Sequence, residues 1–186
     1  MATSTATTSR VSNWEIDPAH SGARFSVRHM MVSTVRGEFG KFTGAVKLDE
    51  SDPTRSSVQV TIDASSVNTH DARRDAHLRS ADFLDVEKFP TIDFRSTVVK
   101  KTGDDPYEIT GQFTLHGVTR DLTLTVEAPA EVGKDPWGKL RRGGTATGKL
   151  NRKDYGLNWN QALETGGILV GDEVKLTIDV ELVKAE

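Results

Sequence analysis

Val-Lys-Leu-Thr-Ile-Asp-Val-Glu-Leu, at residues 174–182, alternates apolar and polar side chains at every position. Successive side chains of a β-strand point to opposite faces, so the stretch predicts a strand with one buried face. That face carries the following residues: Val174, Leu176, Ile178, Val180 and Leu182. The opposite face carries Lys175, Thr177, Asp179 and Glu181.

The same alternation recurs along most of the chain, and turn signals rich in Gly, Pro and Asp separate the alternating stretches. Short strands joined by such turns predict a sandwich or a barrel, and glycines at 37, 40 and 44 would let a long strand curl. We therefore expect an all-β fold, a closed antiparallel eight-stranded barrel, with a possible ninth strand at Trp14–Asp17. The further alternating stretches are 23–29, 58–64, 92–98, 107–115 and 122–128, and His116-Gly117 predicts a turn between the last two.

Two segments break the alternation. Residues 69–85 contain good helix formers after a possible N-cap at Asn68 or Thr69, which predicts a short helical insertion. A helical turn is expected near residues 158–164, closed by Gly166. The fold is thus a barrel that carries one helix.

Composition limits the function classes. The 24 Lys and Arg against 27 Asp and Glu give a net charge of −3, so no strong basic field exists and nucleic acid is not an expected partner. The absence of cysteine excludes disulfides, thiolate catalysis and Cys-ligated zinc. No stretch approaches the ~20 consecutive apolar residues that a membrane-spanning helix needs.

The first residues differ in composition from the rest. Residues 1–12 are mostly Thr, Ser and Ala, which predicts a disordered leader followed by one domain at 13–186. This leader lacks the apolar segment of a secretory signal, so we expect a cytoplasmic, soluble protein.

Polar residues near the helical segment are candidates for a functional site. His70 and His77 would share a helix face, but about two turns place them ~10 Å apart and Arg74 lies between them, so no metal site is expected. Arg74 and His77 could instead be polar groups at the mouth of the barrel, or Arg74 could form a structural ion pair with Asp71 or Asp75.

Two further histidines are candidates for a contact with a ligand or for catalysis. His29 lies on the apolar face of its strand, as a buried, hydrogen-bonded histidine or as a ligand contact. His20 and Ser21 are neighbours in an extended segment, so their side chains point apart and do not predict nucleophilic catalysis.

The predicted inner face mixes large and small side chains. Phenylalanines at 25, 39, 94 and 113 are large, whereas Ala23 and the glycines at 44, 111 and 148 are small. An eight-stranded barrel is at the size where side chains either fill the interior or leave room for one ligand. The sequence leaves both alternatives open, a ligand cavity and a packed core.

An ordered series of motifs resembles the YceI-like family of polyisoprenoid-binding, lipocalin-like proteins. The most specific part is Arg74-Asp-Ala-His77-Leu-Arg-Ser-Ala-Asp82-Phe83-Leu-Asp85, followed by Phe89-Pro90 and Ile92-Asp-Phe94. Other matching motifs are Trp14-Glu-Ile-Asp17, Phe25-Ser-Val-Arg-His29, Val35-Arg-Gly-Glu-Phe39, Phe42-Thr-Gly44, Gly111-Gln-Phe-Thr-Leu115, Gly117-Val-Thr119, Arg152-Lys-Asp-Tyr-Gly156 and Val170-Gly-Asp172.

The resemblance implies a lipocalin-like barrel that binds, transports or stores a long isoprenoid lipid, such as a polyprenyl diphosphate or a quinone tail, without catalytic residues or a cofactor. A homodimer is possible. We expect the cavity to be lined by Phe25, Val27, Phe39, Phe42, Leu78, Phe83, Ile92, Phe94, Gly111, Phe113, Leu115 and Trp159, with His29, Arg74 and His77 as its polar mouth. The alternative is an enzyme acting on a hydrophobic substrate, with His77, Arg74 and Asp75 as acid–base groups.

Overall fold

A computed structural model of the chain describes residues 10–103, 106–127, 131–164 and 166–185. Most of the predicted leader therefore lies outside the described residues, as do the acidic turn at 104–105 and the end of the strand predicted at 122–128. Among the described residues, no helix is long and apolar enough to cross a membrane.

Twelve strands, one α-helix and three short 3-10 turns make up the described part of the chain. The strands are β1 (Val11–Ile16), β2 (Gly22–His29), β3 (Ser33–Phe39), β4 (Phe42–Asp49), β5 (Ser57–Asp63), β6 (Val67–Asn68), β7 (Thr91–Lys101), β8 (Tyr107–Leu115), β9 (Val118–Val126), β10 (Gly133–Lys134), β11 (Leu140–Asn151) and β12 (Val170–Lys184). The helix is α1 (Ala72–Arg79), and the 3-10 turns are Pro53–Arg55, Ala64–Ser66 and Arg152–Tyr155.

The longest strand closes the barrel. Strand β12 pairs with β11 along one edge, and with β2 and then β1 along the other. The antiparallel order β11–β9–β8–β7–β5–β4–β1–β12 returns to β11, which gives the predicted closed, eight-stranded ring. Strands β2 and β3 and the short β6 continue the sheet from β12, and β10 pairs with the start of β11.

Register assigns the two faces of the wall, because directly opposed residues of antiparallel strands point to the same side. Ile178 of β12 is opposite Ala146 of β11 and Ala23 of β2. Ala23 is buried in an apolar cluster with Ile16 and Phe42, so this face is the inner one. The inward row predicted at residues 174–182 is confirmed.

One predicted row changes face within its strand. Sequence alternation placed Val98 on the inner face, but Val98 is exposed and Val99 is buried. The pairing of β7 with β8 shifts by one residue between Ser96 and Val98. A bulge of this kind inverts the side-chain pattern beyond it, which is the physical reason for the error.

The N-terminal boundary also differs from the prediction. Strand β1 begins at Val11, two residues inside the segment predicted as a leader. Ser12 is buried, donates to Glu50 Oε1 and accepts from the Trp14 indole N–H. These hydrogen bonds tie the segment to the barrel.

The helix starts later than expected. The N-cap of α1 is Asp71, not Asn68 or Thr69 as predicted. Its side chain accepts from the backbone N–H groups of Arg73 and Arg74. Thr69 is buried and bonded to Asp75, so its hydroxyl is not available as a cap. His70 therefore precedes the helix and does not share a helix face with His77.

The prediction of a helical turn near residues 158–164 gives the wrong position. No helix is assigned there; the turn lies earlier, at Arg152–Tyr155, and ends at Gly156 with φ +76°. In the predicted segment, Asn160 instead lies beside the start of β12, where its side chain donates to the carbonyl of Val170 and accepts from its N–H.

The core fills one end of the barrel, which we call the helix end, formed by α1, β6 and residues 81–89 and 152–159. A large apolar cluster occupies it, and Leu78 of α1 packs against this cluster. The opposite end of the ring, which we call the far end, contains Ser12, Trp14, Arg142 and Lys184.

Candidate functional site

The lumen, the space enclosed by the eight strands, carries accessible apolar surface. All five inward residues of β12 are only partly buried, although they face into a closed ring. Ile178 is in the middle of the strand, where its direct partners Ala146 and Ala23 are small. The same partial burial holds for further inward residues, namely Val46, Leu48, Val58, Val60, Ile109, Leu124 and Val126.

The predicted cavity residues divide into two sets. One set is buried in the apolar core: Phe42, Phe83, Ile92, Phe94, Gly111, Phe113 and Leu115. The other set keeps partial exposure: Phe25, Val27, Phe39, Leu78 and Trp159. The accessible surface thus belongs to this second set, to the inward row of β12 and to the other partly buried inward residues. The sequence predicted that the β12 row faces inward but did not make it part of a site.

Small inward residues do not leave the empty volume that was expected of them. A Cβ at Gly111 would lie 2.6 Å from Phe94 Cζ, and one at Gly44 would lie 2.6 Å from Ile16 Cδ1. At Gly148 the nearest atom is Leu124 Cδ2, at 2.7 Å. These glycines make room for neighbouring side chains, so the interpretation of small residues as cavity markers is wrong at these positions.

An aromatic group covers the helix end. His77 makes edge-to-face contacts with Trp159 and Phe83, with ring centroids 4.6 Å and 5.0 Å apart. Its Nε2 lies 2.8 Å from Asp82 Oδ2. His77 is thus built into the cover of the barrel, with one polar contact to a neighbouring carboxylate.

The remaining polar residues singled out in the sequence, Arg74, Asp75 and His29, have other partners. Arg74 donates to the hydroxyl and to the carbonyl of Thr69, at 2.8 Å and 2.9 Å. Asp75 is buried and accepts from the N–H and hydroxyl of the same Thr69. His29 is half-buried on the inner face, where its strand pairs with Val170.

The acid–base group proposed as an alternative is not assembled by these contacts. Arg74 and Asp75 meet at Thr69, whereas the polar partner of His77 is Asp82. Each side chain fixes local structure: the start of α1 in the first case and the aromatic cover in the second.

A buried arginine positions Trp159. Arg152, which is 3 % exposed, donates to the carbonyls of Leu157, Trp159 and Gly171. Burial lowers its pKa from the usual value for arginine. Arg152 belongs to a motif that matches the family, but the sequence pattern alone does not indicate this role.

On the outer wall, one arginine gathers three carboxylates. Arg141 contacts Asp17 and Asp135 at 2.7 Å and 2.8 Å, and it also binds Glu181. The guanidinium, with His20 as a second partner, lowers the pKa of Asp17 to about 2. This cluster ties β1, β11 and β12 together on the outside of the barrel.

A closed antiparallel β-barrel with an accessible apolar lumen and an aromatic cover defines the class of this protein: a lipocalin-like barrel. The chain belongs to the YceI-like domain family, whose model matches residues 14–182.

Known relatives agree with this assignment. Protein YceI of Salmonella newport is 43 % identical over 162 residues, which cover 87 % of this chain and 81 % of that protein. The crystal structure of a Campylobacter jejuni YceI protein is 30 % identical, superposes with a TM-score of 0.72, and the match covers 86 % of this chain and 90 % of the other. A polyisoprenoid-binding domain from Saccharophagus degradans, implicated in plant cell wall breakdown, shares the fold with a TM-score of 0.65 at 15 % identity, covering 92 % and 98 % of the two chains.

Proposed function

We propose that this protein binds a long-chain isoprenoid lipid in the lumen of its barrel and carries or stores it without chemical change. The observation that carries the proposal is the inward row of β12, which is apolar at every position and only partly buried inside a closed ring. The Saccharophagus degradans domain, which shares the fold, supports the choice of a polyisoprenoid.

Elementary energetics favour an apolar chain as the ligand. Each Å² of apolar surface removed from water contributes roughly 25 cal/mol, and an isoprenoid tail offers such surface along its whole length. Ordering the ligand offsets only part of this gain. Because a net gain remains for each isoprenoid unit, affinity is expected to grow with the length of chain enclosed. Binding of this kind needs no reactive group.

The polar residues of the helix end agree with a binding role. His77, Arg74 and Asp75 engage Asp82 and Thr69, and their contacts stabilise the cover rather than converge on the lumen. We therefore assign these side chains a structural role in the cover of the helix end.

The direct test is extraction followed by titration. Organic extracts of natively purified protein, analysed by mass spectrometry, are expected to contain an isoprenoid lipid. Delipidated protein is expected to bind a polyprenol or a quinone with a long tail. Absence of a retained lipid together with absence of binding on titration would refute the proposal.

A matched pair of variants on one strand tests the location. Val180→Trp adds an indole on the inner face of β12, whereas Lys175→Trp adds the same group on its exposed outer face. We expect the first to reduce affinity for a polyprenol at least 10-fold, which corresponds to about 1.4 kcal/mol, and the second to leave it unchanged. Equal effects of the two variants would place the lipid outside the lumen.

A further inference from the structure

Arg142 projects into the far end of the barrel. It lies directly opposite Leu182 of β12, which in turn lies opposite Ile16 of β1. Directly opposed residues share a face, and Ile16 is buried in the apolar interior. Arg142 is therefore on the inner face, whereas its neighbour Arg141 points outward to the carboxylate cluster.

The contacts of Arg142 leave its guanidinium without an anion. Its central carbon lies over the Trp14 ring, 5.6 Å from the centroid. Within the described ranges, its Nε is the buried side-chain nitrogen or oxygen that lacks a hydrogen-bond partner. The Trp14 indole N–H already donates to Ser12, so the indole offers the arginine only its π face.

A cation in such surroundings is costly. Arg142 is half-buried and its Nε is enclosed; buried charges in proteins are normally paired, and an enclosed donor without a hydrogen-bond partner lowers stability. The carboxylates Asp17, Asp135 and Glu181 bind Arg141 on the other face of the wall. The chain thus neutralises one of two adjacent arginines and leaves the inner one without a described counter-ion.

Charged groups of both signs lie at this end: the Glu50 carboxylate accepts from Ser12, and two lysines face inward beside Arg142. Lys184 lies opposite Trp14, which places it on the inner face at the rim. Lys101 also faces inward, because a series of directly opposed residues links it to the inward row of β12. The series is Lys101, Tyr107, Val126, Ala146 and Ile178. The inner rim of the far end therefore carries two lysines in addition to Arg142.

We propose that Arg142 binds the anionic head group of the lipid, a phosphate, diphosphate or carboxylate, while the apolar tail runs through the lumen toward the helix end. The inference rests on the proposed lipid-binding function and adds to it the charge of the head group and its direction in the barrel. A planar guanidinium donates two parallel hydrogen bonds to such oxygens, and the Trp14 ring holds it in place.

This assignment differs from the polar mouth predicted from sequence. At the helix end, Arg74 is hydrogen-bonded to Thr69 and His77 is hydrogen-bonded to Asp82. Arg142 retains an unused donor and faces the lumen. The head group therefore belongs at the opposite end from the one expected.

The test compares two probes that differ only in the head: geranylgeranyl monophosphate and geranylgeraniol. Delipidated wild-type protein is expected to bind the phosphate at least 10-fold more tightly than the alcohol. Arg142→Gln is expected to weaken binding of the phosphate at least 10-fold and leave that of the alcohol unchanged. Lys175→Gln, which removes an exposed cation from the outer face of β12, is the matched control and is expected to change neither.

The outcomes separate the two proposals. If wild-type protein binds neither probe, the proposed lipid-binding function fails. If it binds both equally and Arg142→Gln changes neither affinity, the lipid function stands and the head-group assignment is overturned. Binding of inorganic phosphate that depends on Arg142, without tighter binding of the phosphorylated lipid, would also overturn it, since the site would then serve a free anion.

A stability measurement guards against misfolding of the variant. Removing an unpaired inward cation from the ligand-free protein does not remove a hydrogen bond, so Arg142→Met is expected to melt at the wild-type temperature or above it. A large decrease in melting temperature, greater than loss of the contact with the Trp14 ring accounts for, would show that Arg142 is a structural residue, and it would contradict the proposal.

Discussion

Two arginines on β11 and the turn that follows it show how differently one residue type is used. Arg152 is 3 % exposed, and its guanidinium is engaged with backbone carbonyls and with the Asp172 carboxylate at the helix end. Arg142, at the far end, contacts an aromatic face and keeps a donor unused. A satisfied buried arginine fixes structure, whereas an unsatisfied one that faces a lumen is available to a ligand.

The structural role of Arg152 leads to a stability prediction. Arg152→Ala leaves the carbonyls of Leu157, Trp159 and Gly171 without their donor, so we expect the free energy of unfolding to fall by about 3 kcal/mol or more. Chemical denaturation measures this quantity. Arg120→Ala removes an exposed arginine that donates to a single carbonyl, that of Asp154, and is expected to cost about 1 kcal/mol or less. Similar losses in the two variants would contradict the assignment.

Among the elements, the β8–β9 hairpin shows the tightest local constraint. His116 and Gly117 both have positive φ values, +52° and +72°, which is the geometry of the two-residue hairpin turns that match strand twist. Gly117 also lies against the Phe89 ring, which leaves no space for a Cβ. Sequence alone predicted this turn, but not its contact with Phe89.

A pair of glycine substitutions separates backbone strain from crowding. Gly117→Ala is expected to lower the free energy of unfolding by about 2–4 kcal/mol, because positive φ and a clash with Phe89 both disfavour the new Cβ. Gly138→Ala shares the positive φ, +90°, but meets open space apart from Lys134 Cε at 3.6 Å. We expect it to cost about 1–2 kcal/mol. Urea denaturation compares the two, and equal costs would show that Phe89 moves aside.

For the whole molecule, Arg141 links the strands that close the ring. It joins Asp17, which follows β1, to Glu181 of β12 and to Asp135. The arginine is also the largest cause of the lowered pKa of Asp135. Closure of the barrel is therefore supported by charge as well as by the strand ladder.

This cluster makes stability depend on acidity. The folded-state pKa of Asp17 is about 2, below the value near 4 of an unfolded chain. Its contribution is therefore present above about pH 4 and is lost as the pH falls through about 2. We expect Asp17→Asn to lower the melting temperature at pH 7 and the difference from wild type to shrink toward pH 2.

Thermal melts across that pH range measure the effect. Asp121→Asn, at an exposed position of β9, is the control and is expected to change the melting temperature little. A decrease for Asp17→Asn that is as large at pH 2 as at pH 7 would mean that the carboxylate charge is not what stabilises closure.

The sequence by itself determined the barrel and its inner face, because alternation is a local property and most strands keep it without interruption. The row at residues 174–182 and the turn at His116-Gly117 were predicted in this way and are found in the structure. The sequence could not place the bulge beside Ser96, the start of α1 at Asp71 or the turn at Arg152, since each depends on hydrogen bonds with residues brought near by folding.

The site was decided by the tertiary structure. The sequence located polar residues near the helix, but Thr69 and Asp82 satisfy them only once the chain is folded. Whether an inward residue is core or lumen surface depends on what lies across the barrel. Gly111 is buried against Phe94, whereas Ile178 stays partly exposed, although both lie on inward rows. Arg142 became distinct from Arg141 through register alone, because one step along a strand changes which face, and which partners, a charge meets.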